Sequence, residues 1–163
     1  MKKLFIRNAT IDDLDIVYNI EAKCFPEAEA ATYDALKERL ATFPESFFVA
    51  ELYENVIGFV NGCSTDKPEL PDELYHDLSM HNPDGAYQTV FGLDVLPKYQ
   101  HNGYASQLMN HLIKVSKERN KKGIILTCKD HLIGFYESFG YKHLGVSNST
   151  HGDAKWNDML LEF

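Results

Sequence analysis

The chain has 163 residues, enough for one domain with a sizeable core and too few for two, so residues 1–163 read as a single domain. Apolar residues make up 44% and charged residues 25%, which excludes disordered, collagenous and membrane-embedded classes. Twenty-four acidic against sixteen basic residues give a net charge of −8, so general binding to nucleic acid or to an anionic membrane is not expected.

Cys24, Cys63 and Cys128 have no C-x-x-C spacing, which points to neither a disulfide framework nor a cysteine zinc site and fits a reducing compartment. The amino end, Met1 to Arg7, runs into a charge without the apolar stretch of a signal peptide, and a cytoplasmic protein is expected. His76, His81, His101, His111, His131 and His143 show no ligand spacing, so no metal is expected.

In chain order, Leu4-Phe5-Ile6 opens as a short strand. Thr10 and Asp13 have the spacing of a capping box ahead of a helix from about Ile11 to Cys24. Pro26 breaks the chain, and Thr32 caps a second helix that Pro44 stops, leaving Phe25 to Ala31 as a binding-loop candidate. The runs Phe47–Tyr53 and Val56–Val60 flank Glu54-Asn55 and read as a hairpin. Asp66 to Gly85 is a long excursion with at most two turns of helix, a length often tied to function.

Ala86 to Leu96 reads as one central strand ending at Pro97. Helical spacing resumes at Ala105, Leu108, Met109, Leu112 and Ile113, with Gly123 just past its polar end. Ile124–Cys128 is a buried strand, a short helix covers Leu132 to Phe139, and strands near Tyr141–Val146 and Trp156–Phe163 close the chain.

The chemistry concentrates in Leu93-Asp94-Val95, then Gln100-His101-Asn102-Gly103-Tyr104-Ala105-Ser106. A strand leading through a glycine turn into a long helix converges backbone N–H groups at a helix amino end, where the helix dipole adds partial positive charge. Phosphate oxygens suit such a place, Gly103 permits close approach, and Gln100 can add an amide donor.

Gln100-x-x-Gly103-x-Ala105, preceded by Val95-x-Pro97-x-Tyr99, resembles the acetyl-coenzyme A signature of the GNAT superfamily of N-acetyltransferases. Gly134-Phe135-Tyr136-Glu137-Ser138-Phe139-Gly140-Tyr141 resembles that family's second motif. Within the superfamily the chain is similar to the arylalkylamine (serotonin) N-acetyltransferase group at Glu21-Ala22-x-Cys24-Phe25, Phe43–Ser46 and Cys128-Lys129-Asp130. It departs from the vertebrate members at Thr89 and Phe91, where they carry two histidines, so their histidine relay does not carry over.

The resemblance implies an α/β GNAT fold, a mixed, mostly antiparallel central sheet with helices on both faces. It also implies transfer of acetyl from acetyl-coenzyme A to a small-molecule primary amine, by a monomer or homodimer. A peptide or protein amino group, or a non-catalytic acyl-coenzyme A sensor, are the alternatives. Tyr136 falls at the position of the acid for the leaving thiolate, a phenol protonated at neutral pH. Backbone groups of Leu93, Asp94 and Val95 would hold the pantetheine arm. His151, between the last two strands, is the candidate base, with Glu21, Glu27 and Glu29 as rivals. Phe25, Thr89, Phe91 and Trp156 are candidates to line the acceptor pocket.

Overall fold

The computed structural model describes residues 3–163; Met1 and Lys2, part of the basic start, lie outside the described residues. In chain order the elements are β1 (Phe5–Asn8), α1 (Leu14–Cys24), α2 (Tyr33–Thr42), β2 (Phe47–Leu52), β3 (Asn55–Asn61), β4 (Ser64–Thr65), α3 (Glu73–His76), β5 (Tyr87–Val90), β6 (Gly92–Val95), α4 (Tyr104–Glu118), β7 (Gly123–Cys128), α5 (Ile133–Glu137), β8 (Lys142–Val146) and β9 (Asn157–Glu162). They divide into two compact units, residues 3–62 with Gly92–Lys114, and Cys63–Phe91 with Val115–Phe163.

The first unit is built on an antiparallel sheet in the order β1-β2-β3-β6. The Thr10 N–H donates to Asp13 Oδ2 at 2.7 Å, so the entry of the first helix is capped as the spacing predicts, through a 3-10 turn at Ile11–Asp13. Arg7 donates to both oxygens of Asp13 and to Glu51, tying β1 and β2 to that helix entry. Helix α1 buries Leu14, Val17 and Ile20, and with them Glu21. Thr32 Oγ1 accepts from the Ala35 N–H at 3.1 Å and starts α2, which buries Leu36, Leu40 and Arg39.

The β2–β3 turn falls on Tyr53 and Glu54, one residue earlier than expected, with both residues in the left-handed region. Two positive φ values match the twist of the flanking strands. Phe47 and Phe59 stack at 5.7 Å and are fully buried; truncating either costs about 3–5 kcal/mol on the scale of buried aromatic deletions.

The second unit is a mixed sheet in the order β4-β5-β7-β9-β8, parallel at β5–β7 and antiparallel at its other pairs. The strand expected over Ala86 to Leu96 is broken at Phe91. Tyr87–Val90 pairs with β7, whereas Gly92–Val95 pairs with β3 in the other sheet. Apolar content is continuous across the break because both halves are buried, and burial does not report a strand's partner.

Helix α4 also ends differently from the expectation. Asn120 takes the left-handed conformation, the Asn120 N–H donates to the Lys117 carbonyl and the Lys121 N–H to the Ser116 carbonyl, a Schellman ending with asparagine in place of glycine. Gly123 instead starts β7, where a Cβ would collide with the Leu161 carbonyl. The excursion over 66–85 holds one helical turn, α3, and a 3-10 turn at Leu78–Met80. It is pinned by Lys121 Nζ donating to the Pro83 and Gly85 carbonyls and by the Ser64 N–H donating to His81 Nδ1. Among the described residues, no helix is long and apolar enough to cross a membrane.

Candidate functional site

In the first unit, β6 is the edge strand of its sheet. Its register with β3 sets Asp94 opposite Phe59, and the Leu96 N–H donates to the Ile57 carbonyl. Antiparallel strands turn alternate residues to alternate edges, so the backbone groups of Gly92 and Asp94 face β3, and those of Leu93 and Val95 face the open edge. Of the three residues expected to hold a pantetheine arm, Leu93 offers its backbone groups there and Val95 its N–H, since the Val95 carbonyl accepts from Gln100 Nε2 and Cys24 Sγ; Asp94 is committed to the ladder.

The turn after β6 is held by its own polar side chains. Gln100 Nε2 donates to the Val95 carbonyl at 2.9 Å, and Asn102 Nδ2 donates to the Tyr99 and Gln100 carbonyls at 3.0 Å each. The amide of Gln100, expected to face a ligand, is thus spent on shaping the turn. His101 and Gly103 have φ of 64° and 82°, and the space where a Cβ of Gly103 would stand is open. Helix α4 follows, with the Gln107 N–H on the Gly103 carbonyl at 3.1 Å and Leu108, Met109 and Leu112 fully buried as its anchor. The first four N–H groups of a helix have no intrahelical acceptor. Those near Gly103, Tyr104, Ala105 and Ser106, behind an exposed glycine turn, fit the anionic phosphates of coenzyme A.

Beneath β6 the same unit buries a polar cluster that the sequence did not announce. Asp94 is 1% exposed, Glu21 5%, Asn61 0% and Arg39 7%. Burial drives the Asp94 carboxyl well above the usual carboxylate range; the charge of Glu21 and a hydrogen bond with it push the same way, and Arg39 opposes them. Glu21 Oε2 accepts from the Ala31 N–H at 2.8 Å at the end of the candidate binding loop, and Arg39 donates to Asn61 Oδ1 at 3.5 Å. Apart from the contact between the two carboxyls, Glu21 Oε1, both oxygens of Asp94 and Asn61 Nδ2 are buried without an ordinary donor or acceptor.

In the second unit, Tyr136 is buried on α5, its ring edge-on to Phe135 at 5.1 Å and to Tyr141 at 5.6 Å. Burial, then the neighbouring Tyr136, raises the Tyr141 phenol well above its ordinary value. Gly140, at φ 103°, turns the chain out of this helix.

Four half-buried rings form a continuous wall in this unit. Tyr75 of α3 lies 4.5 Å from Phe91 and 6.0 Å from His151, whose ring is 6.1 Å from Trp156. Trp156 Nε1 donates to the His151 carbonyl at 2.8 Å, and Asp72 accepts from Ser149 Oγ at 2.6 Å, so the excursion and the β8–β9 loop are joined.

The structure therefore brings Phe91, His151 and Trp156 together and adds Tyr75, which sequence reasoning missed. Thr89 is fully buried, and its hydroxyl donates to the Cys63 carbonyl at 3.0 Å. Phe25 lies in the first unit, at the exit of α1, half-buried. Burial pushes the Cys24 thiol up to about 12 and the Cys128 thiol up to about 11, which leaves both protonated at neutral pH and unsuited to nucleophilic attack. Among the described residues, no cluster of three or more His, Cys, Asp or Glu is arranged to hold a metal ion.

Residues 14–141 match the model of the Acetyltransferase (GNAT) family. A probable hydrolase, YhcX, of Bacillus subtilis (strain 168) is 29% identical over 134 residues, 77% of this chain and 26% of that protein. Serotonin N-acetyltransferase of Mesocricetus auratus is 25% identical over 157 residues, 94% of this chain and 74% of that protein. The chain thus spans about a quarter of the first relative's length and about three quarters of the second's. In fold it is similar to the loading GNATL domain of CurA from Lyngbya majuscula, with a TM-score of 0.85, 13% identity and 98% of each chain covered. With a family model matched over most of its length, the chain belongs to the GNAT acetyltransferase family.

Proposed function

We propose that residues 1–163, as one acetyltransferase domain working in the cytoplasm, move an acetyl group from acetyl-coenzyme A to the amino group of a small primary amine. As a family member the domain is an acetyl-coenzyme A-dependent N-acetyltransferase. The observation that carries the cofactor half is the exposed, left-handed Gly103 turn at the amino end of α4. Backbone groups of Leu93 and Val95 on the open edge of β6 hold the pantetheine arm and orient the acyl carbonyl.

The bound cosubstrate supplies an activated acyl group as a thioester. The chain's part is to hold it still, admit a neutral amine and return a proton to the departing sulfur. Tyr136 keeps that proton on its phenol oxygen, a role that the Gly134–Tyr141 motif supports. The half-exposed wall of Tyr75, Phe91, His151 and Trp156 supports an acceptor with a compact organic body that lies against aromatic rings. His151 belongs to that wall and serves there to hold the acceptor.

The test is release of free thiol from acetyl-coenzyme A across a panel of arylalkylamines, polyamines, amino sugars and peptides. Turnover concentrated in the small amines supports the reading. Turnover confined to peptides moves the acceptor to a protein amino group, and tight coenzyme A binding without turnover makes the domain a sensor.

A further inference from the structure

Helix α3 carries Tyr75 into the aromatic wall, yet its four residues make a single turn, far short of the roughly 12 residues an isolated helix needs to hold its shape in water. Its position therefore comes from tertiary ties. We propose that Asp72 is a positioning residue for the acceptor: its carboxylate clasps the β8–β9 loop to α3 and so holds Tyr75 and His151 as one platform for the amine's organic body. The inference rests on the amine-acetylating reading and adds to it the group that sets the shape of the acceptor's wall.

Asp72 stands at the N-cap of α3, where an aspartate ordinarily accepts from the second or third N–H of its own helix. No such bond is made here. Asp72 Oδ1 instead accepts from Ser149 Oγ at 2.6 Å and Oδ2 from the Thr150 N–H at 3.3 Å, so both oxygens reach across the chain to one loop. Hydrogen bonds to an ionised carboxylate are about twice as strong as neutral ones, which suits a clasp that is only half-buried.

The clasp leads directly to the wall. Ser149 Oγ, while donating to Asp72, accepts from the His151 N–H at 3.3 Å, and the His151 carbonyl accepts from Trp156 Nε1 at 2.8 Å. The His151 backbone is thus held on both sides, and its ring lies within 9° of parallel to that of Tyr75, one turn past Asp72. The hydroxyl of Tyr75 lies 3.5 Å from Thr127 Oγ1 on β7, which steadies the far end of that ring. The ties of His81 and Lys121 to the excursion fall at positions 81–85, beyond α3. Losing the clasp would therefore let α3 and the β8–β9 loop drift out of register and loosen the platform, without touching β6 or Tyr136.

The experiment is steady-state kinetics with the best small amine from the panel. Coenzyme A affinity by calorimetry and the emission of Trp156, the chain's one tryptophan, are read alongside. Asp72→Ala should raise the Michaelis constant for the amine by about threefold or more, leave kcat within about twofold and shift Trp156 emission to the red, with coenzyme A affinity unchanged. Asp72→Asn keeps an oxygen for Ser149 and should stay closer to the native protein. Ser149→Ala cuts the same bond and carries the test if Asp72→Ala does not fold. It should raise the Michaelis constant too, and the double variant should fall short of the sum of the single effects, because the two side chains act through one contact. Asp77→Ala is the control. Asp77 caps the next turn of the same excursion, accepting from the Ser79 N–H at 3.1 Å, and its loss should leave the Michaelis constant native.

Equal Michaelis constants in the native protein, Asp72→Ala and Ser149→Ala overturn the inference while leaving the amine reading intact. A rise as large in Asp72→Asn as in Asp72→Ala also overturns it, since Asp72 would then act as a charge that attracts ammonium. A rise as large in Asp77→Ala overturns it as general loosening of the excursion, and additive effects of Asp72→Ala and Ser149→Ala overturn it as well. Absence of turnover with every amine in the native protein defeats the amine reading first and the inference with it.

Discussion

The side-chain amide of Gln100 donates to the Val95 carbonyl at 2.9 Å, closing the turn between the edge strand β6 and helix α4 from inside. A residue that resembles a ligand-contacting signature thus acts here by fixing the backbone whose N–H groups face outward. Gln100→Ala should loosen that turn and weaken coenzyme A binding by about fivefold, the worth of one hydrogen bond. Gly103→Val should weaken it by more than about tenfold, because φ of 82° strains any branched side chain by about 1–3 kcal/mol and the side chain would stand in the open approach. Calorimetry with coenzyme A checks both, and equal affinity in a folded Gly103→Val protein would take the phosphates away from this turn.

Tyr136→Phe removes a hydroxyl and keeps the ring packed on Phe135 and Tyr141. Turnover should fall about 10²–10³-fold with cofactor affinity unchanged, the scale of a lost general acid. Steady-state kinetics showing near-native turnover would make Tyr136 a packing residue.

The aromatic wall predicts a different kinetic signature. Tyr75→Ala and His151→Ala should each raise the Michaelis constant for the amine by about five- to tenfold and leave the acidic limb of the pH–rate profile in place, because binding losses act equally on ground and transition states. Loss of that limb in His151→Ala would return the proton-accepting role to the histidine.

Stability should depend on pH in opposite senses at two carboxyls of the first unit. The folded pKa of Asp94 is raised, first by burial, so the folded state binds more protons than the unfolded chain above about pH 4, and stability falls as pH rises through the raised value. Asp13 is lowered, first by its hydrogen bonds with Arg7, so its contribution is present above about pH 4 and is lost as pH falls through the depressed value. Thermal melts should therefore show Asp94→Asn flattening the decline with rising pH and Asp13→Asn flattening the decline with falling pH. A native profile that keeps its decline with rising pH in Asp94→Asn would assign that slope to other groups.

Local chemistry explains which parts of this account could be read in advance. Caps at Thr10 and Thr32, the β2–β3 hairpin and the glycine turn at Gly103 are decided by residues a few positions apart, and each stands where the spacing put it or within one residue of it. The break at Phe91 depends on which strands Tyr87–Val90 and Gly92–Val95 pair with, information that lies in β3 and β7. From the sequence Glu21 reads as one of several rival proton acceptors and Asp94 as part of a central strand; only tertiary packing makes them a buried pair. Tyr75 sat in a long excursion with little local pattern, and its stacking on Phe91 and His151 is a purely tertiary fact.

The central claim is acetyl transfer to a small primary amine, and mass spectrometry of a competition mixture tests it most directly. The protein is incubated with isotopically labelled acetyl-coenzyme A, equimolar small amines and a set of peptides with free amino ends. The account predicts labelled acetyl on one or more small amines, lost in Tyr136→Phe, with the peptides unmodified. Labelled acetyl found on peptides alone, or on neither class while coenzyme A still binds, would contradict it.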